Sequence, residues 1–210
     1  MYRAAIFIFL VFLLAGCVEK VEKRSNGFDH QKAVAASEQI VNDFQTELKS
    51  HLLQALSEAG NPAGAMHVCS EFAPDLADRI STLPGVSIKR VSLKQRNQHF
   101  SPDSFEVSIL ERFATANSPD AAVYSKVFKE SGSVKTFRYM QEIKTGQLCL
   151  KCHGNPDLFT PSLIDALNEL YPTDEAVNYQ PGESRGAFSL ILTYPEAQQA
   201  INALLSENGK

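Results

Sequence analysis

The chain has 210 residues, of which 44% are hydrophobic, and carries 20 basic against 24 acidic side chains for a formal net charge of −4. That is enough apolar material for one compact domain, and it lacks the basic excess that binding to nucleic acid or to anionic lipid by charge would need. Neither a low-complexity segment nor an internal repeat is visible.

Residues 1–16 read as a leader, with Arg3 ahead of an apolar run from Ala4 to Leu14 that is too short to span a bilayer as a stable helix. Leu14-Ala15-Gly16-Cys17 sets small residues before a cysteine, as in the lipobox of bacterial lipoproteins, so Cys17 is expected to be lipidated and to become the first mature residue. A plain signal peptide cut nearby would instead leave Cys17 free. The lipoprotein reading predicts a periplasm-facing protein that meets the envelope membrane only through its lipid. Val18 replaces the aspartate that favours inner-membrane retention, which points to the outer membrane. Residues 17–30 then form a polar tether and residues 31–205 the domain.

Apolar Val34, Val41, Phe44, Leu48, Leu52 and Leu56 recur at helical spacing over residues 31–58, with His30 and His51 on the surface, until Gly60-Asn61-Pro62 ends the run. Asn61 is a candidate N-cap for a second helix reaching Ser81, whose one face carries Met66, Cys69, Ala73, Leu76 and Ile80, with a kink at Pro74. Residues 86–93 predict a strand, 102–116 a helix, and 122–130 a strand or short helix. Ser131-Gly132-Ser133 is a turn into a strand over 134–143. A helix over 161–170, a strand over 185–194 and a last helix over 195–205 complete the order. Helices at both ends with adjacent strands late in the chain predict an α+β fold, an antiparallel sheet with flanking helices.

Between the strand over 134–143 and the helix over 161–170 lies Cys149-Leu150-Lys151-Cys152-His153. Cys-x-x-Cys-His is the attachment pattern of a c-type haem: the two thiols add to the two porphyrin vinyl groups and the adjoining imidazole becomes an axial iron ligand. A local disulfide or half of a zinc site are the plainer readings. Zinc fits poorly, because adjacent Cys152 and His153 project in different directions. Haem c is attached outside the cytoplasm, so leader and motif agree. With Cys17 assigned to lipid and Cys149 and Cys152 to the porphyrin, Cys69 is left over. On its position alone it is either a small buried hydrophobe or a thiolate for the second axial position. Met140 is a rival ligand that reads better as core filling, and Met66, on the helical face of Cys69, reads as packing on the porphyrin. His67 lies about 200° around the helix from Cys69, so the two cannot face one iron. His99, in a polar loop, has no assigned role.

Three stretches carry a wider resemblance: Val91 to Asn97 followed by Ser101-Pro102-Asp103-Ser104-Phe105-Glu106, then Cys149 to Gly154, then Tyr171 to Ala187. In this order, over residues 35–200, the chain resembles a family of c-type haem-binding domains with a PAS-like fold, long catalogued as a domain of unknown function. The resemblance implies a PAS-like sheet behind a long N-terminal helix, with His153 and Cys69 as the axial iron ligands. Gln98-His99 departs from the proline-containing loop of many relatives. Arg96, Arg138 and Arg185, within or near these motifs, are candidate donors to the haem propionates, each equally readable as an ordinary surface pair.

Two strong axial ligands leave no open iron position, and no distal His/Arg constellation for peroxide cleavage is identifiable, so an enzyme is not expected. The expected role is a redox or diatomic-gas sensor, for nitric oxide or carbon monoxide, that works through a separate redox or signalling protein. The alternative is a lipid-anchored single-electron carrier.

Overall fold

A computed structural model describes residues 28–116 and 120–207. The leader, Cys17 and the tether up to residue 27 lie outside the described residues. Helix α1 (His30–Ala59) starts where the Asp29 side chain accepts the Lys32 N–H at 3.1 Å. It ends where Gly60, at φ 67°, returns its N–H to the Leu56 carbonyl. Its buried stripe runs through Ala33, Ala36, Ile40, Val41 and Phe44.

A 3₁₀ turn at Ala63–Ala65 follows with Pro62 at its N-cap, and the Asn61 side chain accepts the Gly64 N–H at 3.1 Å from one residue further back. The expected second helix then divides at Pro74. A π-helical turn covers Val68–Phe72, and the α-helix proper, α2, is Ala73–Ser81. Proline has no N–H for the Ser70 carbonyl and its ring crowds that carbonyl, so the preceding turn widens, and Ala73 N–H reaches back five residues to Val68. Cys69 sits inside this wide turn. Met66, Ala73 and Leu76 are buried along the same side.

Strands β1 (Val86–Val91), β2 (Val123–Glu130), β3 (Ser133–Lys144) and β4 (Ser184–Thr193) form one antiparallel sheet in the order β1-β4-β3-β2. Residues 122–130, open between strand and helix from the sequence, are thus the edge strand of a hairpin. Ser131 (φ 49°) and Gly132 (φ 83°) turn it into β3, the two positive φ angles that a tight hairpin demands. Helix α3 (Ser104–Thr115) opens on a capping box, with Asp103 accepting the Glu106 N–H and Glu106 accepting the Asp103 N–H. A single turn α4 (Leu150–His153), α5 (Pro161–Leu170) and α6 (Ala197–Glu207) complete the chain.

The two faces of the sheet bury different layers. Val86, Ile88, Phe137, Tyr139, Phe188, Leu190 and Leu192 meet α1, α2 and α6 in the main core. On the other face Met140, Val91 and Ala187 pack on Ile109, Leu110 and Phe113 of α3. Met140 is therefore core filling, on the side of the sheet away from α1 and α2. Arg138 shares that face by strand alternation, and the structure corrects its expected role as a propionate donor. Its Nη2 lies 3.0 Å from the fully buried Glu106 and 2.8 Å from Asp103. Glu106 also accepts Ser189 Oγ at 2.6 Å and pairs with Lys89 at 2.9 Å, so the buried carboxylate is met on every side.

Candidate functional site

A cleft of about 520 Å³ opens between α1, the π turn, β1, β4 and the segment leading into α4. Its apolar wall comes from Phe44, Leu48, Leu52 and Phe188, and Cys69, Cys149 and His153 all line it. These three residues are 80 positions or more apart between the π turn and α4, and the fold brings them to one space. Gly186 lies on the floor at φ 153°, and a Cβ there would drive into the Val91 carbonyl of the neighbouring strand.

The one-turn helix α4 explains how five consecutive residues divide their tasks. His153 N–H bonds to the Cys149 carbonyl at 2.9 Å, which closes the turn. Cys149 faces the cleft. Cys152 turns toward Met66, Leu163, Leu167 and Tyr171, a small apolar cluster under α5. Burial, with Cys69 next, pushes its thiol up to about 11. The Cys69, Cys149 and Cys152 thiols are all free.

His153 Nδ1 lies 2.7 Å from the Ala176 carbonyl, which can only accept, so the proton is on Nδ1 and Nε2 keeps its lone pair. Burial, then the charges of Arg185 and Arg96, hold the imidazole well below its usual range and keep it neutral. The segment behind it is tied down as well: Tyr179 N–H donates to the His153 carbonyl at 3.0 Å and Asn178 N–H to Gly154 at 2.8 Å. The Tyr179 ring stands edge-on to the imidazole at 6.4 Å between centroids.

Of the remaining expected residues, Arg96 and Arg185 line the cleft and Arg138 does not. Arg96 is committed mostly to protein: Nε donates to Asp174 at 3.0 Å and Nη2 to the Cys152 carbonyl at 2.6 Å, while Nη1 is buried without a partner. Arg185 donates from Nη1 to Ser92 Oγ at 3.1 Å, and its Nε is likewise buried and unpartnered. Lys49, Lys89, Arg90 and Lys144 join them in the lining, which among the described residues contains no carboxylate. Lys89 and Lys144 turn to Glu106 and Glu142, and Arg96 to Asp174.

These features suit a flat apolar group that carries carboxylates. The wall is apolar, two buried guanidinium nitrogens await acceptors, and a neutral imidazole and a thiol are available as metal donors. The zinc alternative is poorer in donors, since among the described residues no three His, Cys, Asp or Glu side chains cluster as a metal cage. Asp174 and the Ala176 carbonyl are the functional groups that the sequence reading missed. Both lie in the quoted Tyr171 to Ala187 stretch, where an aspartate two residues before an alanine gives no local sign of its partner.

Sheet, flanking helices and cleft define an α+β domain with a Cys-x-x-Cys-His turn at the edge of its pocket. The chain belongs to the Tll0287-like family, whose model matches residues 22–193. A solved structure of the same fold is the crystal structure of the cyanobacterial heme-protein Tll0287. It is 19% identical, with a TM-score of 0.62 over 80% of this chain and 99% of that one. No curated protein matches the chain.

Proposed function

We propose that the cleft holds one haem c, bound covalently through Cys149 and Cys152 with His153 and Cys69 as axial iron ligands, and that the protein works as a redox or diatomic-gas sensor of a PAS-like kind. The observation that carries this is the meeting of Cys69 and His153 in one cleft from distant parts of the chain. The family, and the heme-protein that shares its fold, support it. When bound, haem supplies a one-electron ferric/ferrous couple. The chain supplies the rest. His153 is pre-oriented by Ala176, the unpartnered Arg96 Nη1 and Arg185 Nε provide donors for propionates, and Cys69 provides an anionic sulfur that favours the ferric state. With haem bound, Cys69 would be the ligand that a change to the ferrous state weakens, and its release would leave room for nitric oxide or carbon monoxide.

Cys17 would anchor the domain by lipid at the envelope, facing the periplasm. The test is haem staining after denaturing electrophoresis of exported protein, with a redox titration beside a partner pull-down. A haem that acid-acetone removes, or stoichiometric zinc, overturns the assignment. The second reading, an electron carrier, is favoured by the cation-only lining with Lys49 exposed beside it, which suits docking of an acidic redox protein. A fast exchange that slows with added salt would select it.

A further inference from the structure

The ion pair between Arg96 and Asp174 is buried, with side chains 6% and 10% exposed and Nη2 2.8 Å from Oδ2. Such a pair seldom adds stability over apolar packing of the same volume, so its place in the fold asks for another reason. Its contacts lead to the backbone on either side of His153, at Cys152 and at Ala176. Asp174 Oδ1 accepts the Ala176 N–H at 2.8 Å. Arg96 Nη2 donates to the Cys152 carbonyl at 2.6 Å and, at 3.4 Å, to the Ala176 carbonyl. That same Ala176 oxygen accepts the His153 Nδ1 proton at 2.7 Å. A carbonyl that already faces a guanidinium is a weaker acceptor for a second donor, so Arg96 limits how much negative character the imidazole gains through Nδ1.

We propose that Arg96 and Asp174 act as an opposed pair that sets the redox potential of the haem iron through His153, a role resting on the haem reading above. Arg96 draws electron density from the Ala176 carbonyl, and its positive charge beside the cleft disfavours ferric iron. Asp174 cancels most of that charge and aligns both the guanidinium and the Ala176 amide. Toward the iron both are positioning residues, since neither touches it; the donor that Arg96 Nη1 offers to a propionate is a separate contact.

The two members should therefore shift the potential in opposite directions. Asp174→Asn keeps an acceptor for the Ala176 N–H and leaves Arg96 uncompensated. The ferrous fraction at a fixed ambient potential should rise, by about tenfold in the ferrous-to-ferric ratio, or about 59 mV for one electron. Arg96→Met leaves Asp174 uncompensated and frees the Ala176 carbonyl for His153, so the ratio should fall by a similar factor. Arg96→Lys keeps the charge and should restore most of the wild-type value. The double variant Arg96→Met with Asp174→Asn, neutral at both positions, should lie between the singles and covers the case in which Arg96→Met alone does not fold. A merely structural pair would loosen His153 in both single variants and move both potentials the same way. Haem retained in every variant with potentials that do not diverge sinks this proposal alone. Wild-type protein that carries no haem sinks it together with the reading beneath it.

Discussion

Glu106 Oε1 accepts the hydroxyl of Ser189 at 2.6 Å, and this joins the start of α3 to the central strand β4 across a fully buried layer. The same carboxylate holds Lys89 and Arg138, so one acidic side chain unites β1, β3, β4 and α3. Glu106→Ala takes its carboxylate from Lys89 and leaves Arg138 with Asp103 alone, and should destabilise the fold by about 3–5 kcal/mol. Chemical denaturation followed by circular dichroism measures it. Arg138→Met should also lower the denaturation midpoint while leaving haem uptake intact, because Arg138 lies away from the cleft.

Cys69 and Met140 make opposite predictions for the ferric spectrum. Cys69→Ala should convert a low-spin haem to a five-coordinate or water-bound form with a raised potential and ready ligand binding. Met140→Ala should leave the spectrum nearly unchanged and cost about 2–5 kcal/mol of stability, since Met140 is fully buried under α3. A low-spin signal that survives Cys69→Ala and disappears with Met140→Ala would reverse the ligand assignment and favour the electron carrier.

Gly186 tests how closely β1 and β4 must approach beside the cleft. Gly186→Ala puts a Cβ into the Val91 carbonyl at a φ of 153°. The strain is about 1–3 kcal/mol before any clash is relieved. Lower thermal stability and less covalent haem per chain are the expected outcomes. Gly146, which also lines the cleft but has open space around it, should accept alanine without loss of fold.

Alkali should unfold the protein through two phenols, the buried Tyr139 and the half-buried Tyr194. Burial, then Asp29, pushes Tyr194 up to about 12, and burial with Glu38 raises Tyr139 further, its hydroxyl donating to Gln141 at 2.9 Å. Below about pH 10 both phenols are protonated in folded and unfolded chains alike. Above it the unfolded chain ionises first, so stability falls as pH rises from about 10 toward the value of Tyr194 near 12. Tyrosinate absorbance should appear together with loss of helix signal, and Tyr139→Phe should delay both.

Lipidation of Cys17 is checked by mass. Native protein should carry diacylglycerol on Cys17, and Cys17→Ser should release the domain into the periplasm with its haem spectrum unchanged. An unmodified Cys17 from a host that processes lipoproteins would remove the anchor from the proposal.

Local patterns were legible without coordinates, because each is written within a few residues. The apolar stripe of α1, the Ser131-Gly132 turn and the Cys-x-x-Cys-His motif depend on helical period, backbone φ and fixed spacing. Partners across the fold were not legible. Arg96 and Arg138 look alike as basic residues near motifs. Yet one lies against the Cys152 and Ala176 carbonyls and the other against Glu106, because Arg96 sits in the loop after β1 while alternation along β3 turns Arg138 toward α3. The widened turn at Cys69 was half legible: Pro74 announced a break in the helix. That the break becomes a π turn with Cys69 in the cleft wall depends on how α1 and α2 pack. Cys69, Cys149, Cys152 and His153 are thus written in the chain. The meeting of Cys69, Cys149 and His153 in one cleft, and the carbonyl of Ala176 that fixes the tautomer of His153, belong to the tertiary structure, where contacts more than twenty residues apart are made by packing and not by spacing.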